Sequence, residues 1–315
     1  MSSVEYAILI KKKTRLESLT SRFNTRAQSQ FYIESSGGDF LQYEYEDAQF
    51  HHTFSEIQRQ LSKVLKNKVV EHDFLPSFLF NDKQLIIVVG QDGLVANTAK
   101  YVNGLPIIAV NPDIDRYDGV LLPFNSETFM YAVESVLSGR FNFKIAHFAE
   151  ARLNTHQRLL AFNDLFIGAS SHISARYKIS YNKQQENQSS SGVIVSTPAG
   201  ATGWLSSVFN MSVGIQNFIE QQTPKKSKSQ SNNKIKTLAE NELMFAVREP
   251  FLSKQSSVNL VAGILTEHTP LIIESFMPNN GVIFSDGIES DFLQFNSGAI
   301  ATIGIAPEKA VLVNF

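Results

Sequence analysis

The stretch LIIVVGQDGL (residues 85–94) places five apolar residues directly before the turn-forming sequence Gly90-Gln91-Asp92-Gly93. An apolar run this short predicts a buried strand of a parallel sheet. Glycines on either side of an acid are common in ordinary turns. A strand that runs through glycines into a helix, however, presents backbone N–H groups to an anion. The stretch predicts a strand–loop–helix junction and leaves open whether its loop binds phosphate.

The sequence around this junction alternates between strand-like and helix-like patterns. Apolar runs at 4–10 and 105–111 predict two more buried strands, and apolar residues recur at helical spacing in 50–65 and 126–137. Beyond about residue 145 short strands dominate, for example the strictly alternating ARYKISY at 175–181. We therefore expect an α/β N-terminal domain with a Rossmann-like parallel sheet and a β-rich, sandwich-like C-terminal domain.

These patterns predict a domain boundary and two mobile loops. We expect an α/β nucleotide- and phosphate-binding domain at 1–125 and a β-rich domain at 126–315. Polar composition predicts mobile loops near 182–192 and 221–237. The second loop is rich in lysine, which is typical of a solvated basic loop, although a clamp for an anionic ligand is an alternative.

Composition excludes several classes of protein. The chain has no cysteine, so disulfides, zinc–thiolate sites and thiol nucleophiles are excluded. Its formal net charge of −2 gives no electrostatic signature for nucleic acid. No apolar run approaches the roughly 18 residues that a membrane span needs. The basic run at 11–13 follows the first apolar run, the wrong order for a signal peptide, and we expect a cytoplasmic protein.

Two further segments carry polar groups suited to a ligand. In AFNDLFIG (161–168), Asn163 and Asp164 directly precede a predicted strand. In STPAGATGW (196–204), a predicted strand enters a loop that holds serine, two threonines, two glycines and the only tryptophan of the chain. Such a loop can offer hydroxyls, backbone amides and an aromatic face to a nucleotide. The alternative is a plain hairpin loop with Trp204 in the core.

In order and spacing, these three segments resemble the NAD kinase family, with its GGDGT loop, Asn-Glu pair and DGLIVSTPTGSTAY-like stretch. Further segments are similar to the mitochondrial-type NAD kinases: NPDIDRYDGVLLP (111–123), DLFIGASSHISARY (164–177), REP (248–250) and DGIESDFLQFNSGAIA (286–301). The resemblance spans nearly the whole chain. It implies transfer of a phosphoryl group from ATP to the 2′-hydroxyl of the adenosine ribose of NAD, with Mg²⁺ on the donor phosphates.

The resemblance also implies roles for individual residues. Asp92 matches the general base, and the loop residues Gly90, Gln91, Gly93 and Leu94 match the segment that the ATP phosphates approach. The positions that match or neighbour the family's NAD-binding positions are Asn163, Asp164, Thr197, Ala199, Thr202, Gly203, Trp204 and Asp286. Asp286 has a β-turn as its alternative. No residue is expected to bind metal directly, and a homo-oligomer, expected to be a dimer, is implied by the family alone.

The sequence departs from the family pattern at Gln91, which replaces a glycine, and at Leu94, which replaces a threonine. Gln91 can crowd a phosphate or donate to it, and Leu94 removes a hydroxyl. Two alternatives to an NAD kinase therefore stay open. One is a kinase of another hydroxyl acceptor, such as a sugar, nucleoside or lipid. The other is an NAD-binding regulator with weak catalysis.

Overall fold

The computed structural model describes residues 4–222 and 237–315. The chain divides into two compact units, one formed by Met1–Ile145 and Ala310–Phe315 and the other by Ala146–Lys309. This division differs from the expected boundary after residue 125. The helix at Phe129–Leu137 belongs to the first unit because its buried apolar face packs into the core of that unit.

The first unit is an α/β structure around a parallel sheet. Its elements are β1 (Tyr6–Lys11), α1 (Arg15–Phe23), α2 (Arg26–Ser35), α3 (Phe40–Leu61), β2 (Lys66–Glu71), β3 (Gln84–Val89), α4 (Asp92–Ala99), β4 (Pro106–Val110) and α5 (Phe129–Leu137). The strands pair in the order β2-β1-β3-β4, all parallel, and the end of the last strand of the chain pairs in parallel with β4. Every residue of β3 is buried, as expected for a central strand.

The second unit is β-rich. Its elements are β5 (Asn142–Leu153), β6 (Arg158–Ala161), β7 (Asp164–Ala169), β8 (Ala175–Tyr181), β9 (Gln184–Ser190), β10 (Val193–Ser196), α6 (Trp204–Gln222), β11 (Leu243–Val247), β12 (Ala262–Leu265), β13 (Leu271–Ser275), β14 (Gly281–Ser285), β15 (Ile288–Gln294) and β16 (Ile300–Asn314). β5 begins and β16 ends in the first unit.

Two antiparallel layers build this unit. One sheet has the order β12-β11-β10-β7-β14-β15, and in the other β13 pairs with β16 and β8, and β8 with β9. A single core joins apolar residues of both sheets, among them Ile167, Val195, Tyr177 and Ile273. The predicted fold class, an α/β unit with a parallel sheet followed by a β-rich, sandwich-like unit, is confirmed.

The segment near 182–192, for which the sequence predicts a mobile loop, contains a strand in the structure. Most of this segment is strand β9, which pairs with β8 along its whole length. Its inward-facing residues are polar but hydrogen-bonded: the hydroxyl of Tyr177 donates to Oε1 of Gln188 over 3.0 Å and lies 2.7 Å from Oγ of Ser190. Burial of polar groups costs little when they are paired, so the polar composition was misleading.

The second predicted loop, 221–237, lies mostly outside the described residues, since 223–236 are not described. The helix before it, α6, was not expected. Leu205 is its one residue that is buried among those described, while Met211, Ile215, Phe218 and Ile219 are exposed. Within the described ranges, no helix combines the length and the apolar character needed to cross a membrane.

Candidate functional site

The glycine-containing loop joins β3 to α4 in the first unit. Gln91 occupies the N-cap position of α4 without a side-chain capping bond, and Asp92 is the first helical residue. Gln91 and Gly93 are exposed, whereas Leu94 is buried. The strand–loop–helix junction predicted from the sequence is therefore present, and the start of α4 carries the positive end of the helix dipole.

The carboxylate of Asp92 is held by a turn of the same unit. Its Oδ1 accepts the backbone N–H of Leu121 over 2.8 Å, and its Oδ2 accepts that of Val120 over 3.2 Å. The turn is closed by a bond of 3.0 Å from the N–H of Leu122 to the carbonyl of Gly119. A carboxylate has about four acceptor positions, so Asp92 keeps the capacity to accept a substrate hydroxyl.

The two glycines of the loop differ in their surroundings. A Cβ at Gly90 would lie 2.8 Å from Cδ2 of Leu94, while a Cβ at Gly93 would meet nothing within 4 Å. Neither has a positive φ. Packing of Leu94 therefore accounts for glycine at 90. No contact among the described residues accounts for glycine at 93, and the open space beside it is available to a ligand.

In the second unit, Asp286 anchors the turn before β7. Its Oδ1 accepts the backbone N–H of Asn163 over 2.6 Å and that of Asp164 over 3.3 Å, and its Oδ2 accepts that of Phe162 over 3.0 Å. The N–H of Asp286 also donates to the carbonyl of Asp164 over 3.0 Å. The carboxylate of Asp286 thus positions the Asn163-Asp164 pair.

The loop after β10 docks on the same turn. The hydroxyl of Thr197 donates to the carbonyl of Phe162 over 2.6 Å and accepts the N–H of Gly200 over 3.2 Å. The N–H of Thr197 donates to the carbonyl of Asn163 over 2.9 Å. A Cβ at Gly200 would lie only 2.3 Å from that carbonyl oxygen, so glycine is required there. Asn163, Asp164, Thr197 and Asp286 therefore form one hydrogen-bonded cluster.

This cluster leaves two polar side chains with open hydrogen-bonding capacity. Among the described residues, the side-chain amide of Asn163 has no hydrogen-bond partner. Oδ1 of Asp164 is buried and likewise has none within this part of the chain. The pKa of Asp164 is raised to about 6: burial raises it most, a hydrogen bond with the Ser196 hydroxyl lowers it, and the nearby charge of Asp286 raises it. The Oδ1 atom, which has no donor among the described residues, is suited to accept a hydroxyl from a ligand.

The remaining predicted residues lie along the loop and the start of α6. Ala199, Thr202 and Gly203 are exposed, and Trp204 is the first residue of α6. Trp204 stacks on Phe166, with ring centroids 5.6 Å apart and an interplanar angle of 11°. Phe284 lies 4.9 Å from Phe166. These three rings line a cavity of about 880 Å³ in the second unit.

Sequence reasoning did not single out Phe166 or Phe284, and it named Arg248 only as part of the REP segment, without a role. The guanidinium carbon of Arg248 lies 5.2 Å from the centroid of the Trp204 ring. Phe166 follows Asp164 by two residues on β7, and alternation along a strand could have placed it on the same face. Arg248 and Phe284 come from strands distant in sequence. Only the pairing of the sheet brings them to Trp204.

Clusters of potential metal-binding side chains are scarce in the described parts of the chain. The one cluster of three potential ligand side chains there is Glu17, Asp47 and His51, on α1 and α3. These groups already interact with each other, since Nε2 of His51 lies 3.1 Å from Glu17 and 3.6 Å from Asp47. Both oxygens of Asp92 accept backbone N–H groups, and the absence of a direct metal ligand in the glycine loop stays a prediction.

Solved structures share this fold. Yeast NADH kinase complexed with NADH matches with a TM-score of 0.63 at 13% sequence identity, over 100% of this chain and 84% of that one. An NAD kinase from Archaeoglobus fulgidus in complex with ATP matches with a TM-score of 0.54 at 13% identity, over 98% of this chain and 92% of that one. No protein-family model and no curated protein matches the sequence. The chain has the fold of the NAD kinases, as the motifs implied.

Proposed function

We propose that this chain is an NAD kinase-like phosphotransferase that converts NAD to NADP. The observation that carries the proposal is the cluster around Asp286. It fixes the backbone of the Asn163-Asp164 pair and leaves hydrogen-bonding atoms of both side chains without a partner among the described residues. The likeness to an NADH kinase and an NAD kinase supports it through the fold. The ordered motifs support it through the sequence. Membership of the mitochondrial-type branch stays a prediction.

The acceptor would bind through its adenosine half. The amide of Asn163 and the carboxylate of Asp164 would hold ribose hydroxyls, because both offer unsatisfied polar atoms at a fixed position. Thr197 and Ala199, with the exposed Thr202 and Gly203, would line the base together with the ring of Trp204. Among these, Thr197 acts mainly by shaping the loop, since its hydroxyl is already bonded.

In the proposed reaction, Asp92 takes the proton of the ribose 2′-hydroxyl while the 2′-oxygen of the ribose attacks the γ-phosphorus of ATP. The bond from that phosphorus to the bridging oxygen breaks, and ADP leaves. Mg²⁺ bound to the donor phosphates would neutralise their charge. Gly93 would allow the phosphates close to the backbone at the start of α4, since nothing lies beside it within 4 Å. Most of the rate would come from positioning and charge stabilisation.

A second candidate, an NAD-binding regulator with weak catalysis, is favoured by two observations in the glycine loop. The side chain of Leu94 occupies the space beside Gly90 that a phosphate would otherwise approach. The carboxylate of Asp92 is held by Val120 and Leu121. A kinase acting on a sugar, a nucleoside or a lipid is the other alternative, and nothing at Asn163 or Asp164 favours it over NAD.

An acceptor screen tests the proposal. The pure protein is incubated with ATP and Mg²⁺ and with NAD, NADH, nucleosides or sugars, and ADP release and NADP formation are measured. We expect turnover with NAD or NADH to exceed turnover with the other acceptors. If calorimetry shows that NAD binds but no NADP forms, the kinase proposal fails and the NAD-binding regulator remains. Turnover with another acceptor alone would replace NAD as the substrate.

We also propose two properties beyond catalysis: the oligomeric state that the resemblance implies and the location that the sequence predicts. The chain is expected to form a homo-oligomer, with a dimer as the simplest form, and light scattering of the pure protein tests this directly. A cytoplasmic location stays a prediction from the sequence, and imaging of the tagged full chain in its cell of origin would test it.

A further inference from the structure

Arg248 lies just after β11 and lines the aromatic cavity defined by Phe166, Trp204 and Phe284. In the same unit, Arg152 and Arg158 both pair with Glu150. Among the described residues, by contrast, the guanidinium of Arg248 has no ion pair and donates no hydrogen bond. A half-buried guanidinium with five free N–H donors beside a cavity is a candidate for binding an anionic group.

The position of Arg248 is fixed by its backbone. Its N–H donates to the carbonyl of Gly192 over 2.8 Å, and its carbonyl accepts the N–H of Ser191 over 2.9 Å. The chain then turns at Glu249, which has a φ of 48°. These bonds tie the backbone of Arg248 to the turn just before β10, so the site does not depend on a freely moving loop.

The aromatic floor is tied to the same point. Gly192 has a φ of 105°, and a Cβ there would lie 2.6 Å from Cε2 of Phe166. The ring of Phe166 therefore lies against the backbone of Gly192, the residue whose carbonyl accepts the N–H of Arg248. The ring of Trp204 stacks on Phe166 and also lies under the guanidinium. The backbone of Arg248 and the ring of Phe166 thus share the same support at Gly192.

We infer that this cavity binds a nucleotide, with the aromatic rings contacting the base and Arg248 binding a phosphate. The choice of a nucleotide as the ligand rests on the proposed function. Aromatic faces bind planar bases, and the planar guanidinium suits two oxygens of one phosphate. The volume of about 880 Å³ lies in the usual range for ligand sites, about 300–1,000 Å³.

One acidic side chain of the cavity lining opposes the binding of a phosphate. Glu249 also lines the cavity, and its charge opposes an anion. It is exposed, so solvent and salt screen it more than they screen the half-buried Arg248. His172, on the cavity lining too, is exposed and would add positive charge only when protonated.

The fluorescence of Trp204, the only tryptophan, reports binding in this cavity. The full-length protein is titrated with adenosine, with AMP and with inorganic phosphate. We expect AMP to bind at least about tenfold more tightly than adenosine, as a charge-assisted bidentate contact would give. In the Arg248→Gln variant this preference should disappear, while adenosine binds as it does to the wild type.

Two further variants make the result specific. Arg176→Gln removes an exposed arginine of the same unit that is outside the cavity and should keep the preference for AMP. Arg248→Lys keeps the charge but loses the fork, and should retain only part of the preference. If Arg248→Gln does not fold, as judged by circular dichroism, the lysine variant decides: an undiminished preference for AMP overturns the inference.

Other outcomes also overturn it. Equal affinities of the wild type for AMP and adenosine would remove the role of the phosphate. Binding of inorganic phosphate without any response to adenosine would indicate a simple anion site. A response to AMP that vanishes at high protein concentration would indicate that a second copy covers the cavity. NADP formation is assayed separately, so an inactive protein with Arg248-dependent AMP binding would refute the kinase and keep the site.

Discussion

The carboxylate of Asp286 accepts the backbone N–H of Asn163 over 2.6 Å, although 122 residues separate them along the chain. The same carboxylate accepts the N–H groups of Phe162 and Asp164. The residue that resembled a ligand contact in the sequence is therefore also the anchor of the turn that carries Asn163 and Asp164. Loss of the anchor should disturb both stability and nucleotide binding.

We expect Asp286→Ala to lower the free energy of unfolding by about 3 kcal/mol, because three N–H donors lose their acceptor. Urea unfolding followed by circular dichroism measures this. Glu267→Ala, which removes an exposed carboxylate of the same unit, should change stability by less than about 0.5 kcal/mol. A loss below about 1 kcal/mol for Asp286→Ala would mean that solvent replaces the carboxylate at little cost.

Gly200 is where the loop after β10 meets the backbone of Asn163. Gly200→Ala would put its Cβ 2.3 Å from the carbonyl oxygen of Asn163. The loop must move, and we expect thermal stability and NAD affinity to fall together. Gly214→Ala on α6, where a Cβ meets nothing within 4 Å, is the matched control and should be stable or slightly stabilised. Unchanged NAD affinity in Gly200→Ala would separate this loop from the nucleotide site.

The pH dependence of Asp164 has a definite sign. Burial raises the pKa of Asp164 to about 6, so the folded protein holds this proton more tightly than the unfolded chain. The buried carboxylate of Asp164 therefore lowers the free energy of unfolding. This loss is absent below about pH 4, grows as the pH rises to about 6 and is complete above that pH.

We expect Asp164→Asn to be more stable than the wild type at pH 8, by on the order of 2 kcal/mol, and equally stable at pH 4. Thermal melts of both proteins across this pH range measure the difference. NAD affinity of the wild type should weaken below about pH 6, as the carboxylate takes up a proton, and that of the variant should be low throughout. A stability difference that does not vary with pH would contradict this account.

Gly90 and Gly93 should respond differently to alanine. Gly90→Ala places its Cβ 2.8 Å from Cδ2 of the buried Leu94, so we expect a loss of about 1–3 kcal/mol that Leu94→Ala in the same chain relieves. Gly93→Ala meets no atom within 4 Å and should keep its stability but bind ATP more weakly. If the losses in free energy of unfolding caused by Gly90→Ala and Leu94→Ala simply add in the double variant, Leu94 is not the reason for glycine at 90.

The sequence predicted the elements whose local pattern agrees with their tertiary role. β3 is apolar from Leu85 to Val89 and buried throughout, and the glycines after it mark the start of α4. β9 was missed because its inward-facing Gln188 and Ser190 are polar, and only hydrogen bonds that the sequence does not reveal, to the hydroxyl of Tyr177, the carbonyl of Leu260 and the N–H of Gly192, explain how they are buried. α6 was missed although Met211, Ile215 and Phe218 recur at helical spacing, a signal that could have revealed it.

The candidate site was predictable in part for the same reason. Asn163 and Asp164 stand beside each other and precede a recognisable strand, whereas the aromatic cavity is assembled from separate strands. Phe166, Phe284 and Arg248 meet Trp204 only after β7, β14, β11 and the loop after β10 have taken their places. No local pattern of a single sequence contains that information.

Formation of NADP by wild type and Asp92→Asn tests the central claim most directly. With ATP, Mg²⁺ and NAD present, we predict NADP formation by the wild type and a rate about 10² to 10⁴ times lower in Asp92→Asn, the usual effect of losing a general base. Asp118→Asn, an exposed acid of the segment that holds Asp92, should behave as the wild type. No NADP from the wild type, or a variant within threefold of it, would contradict the account.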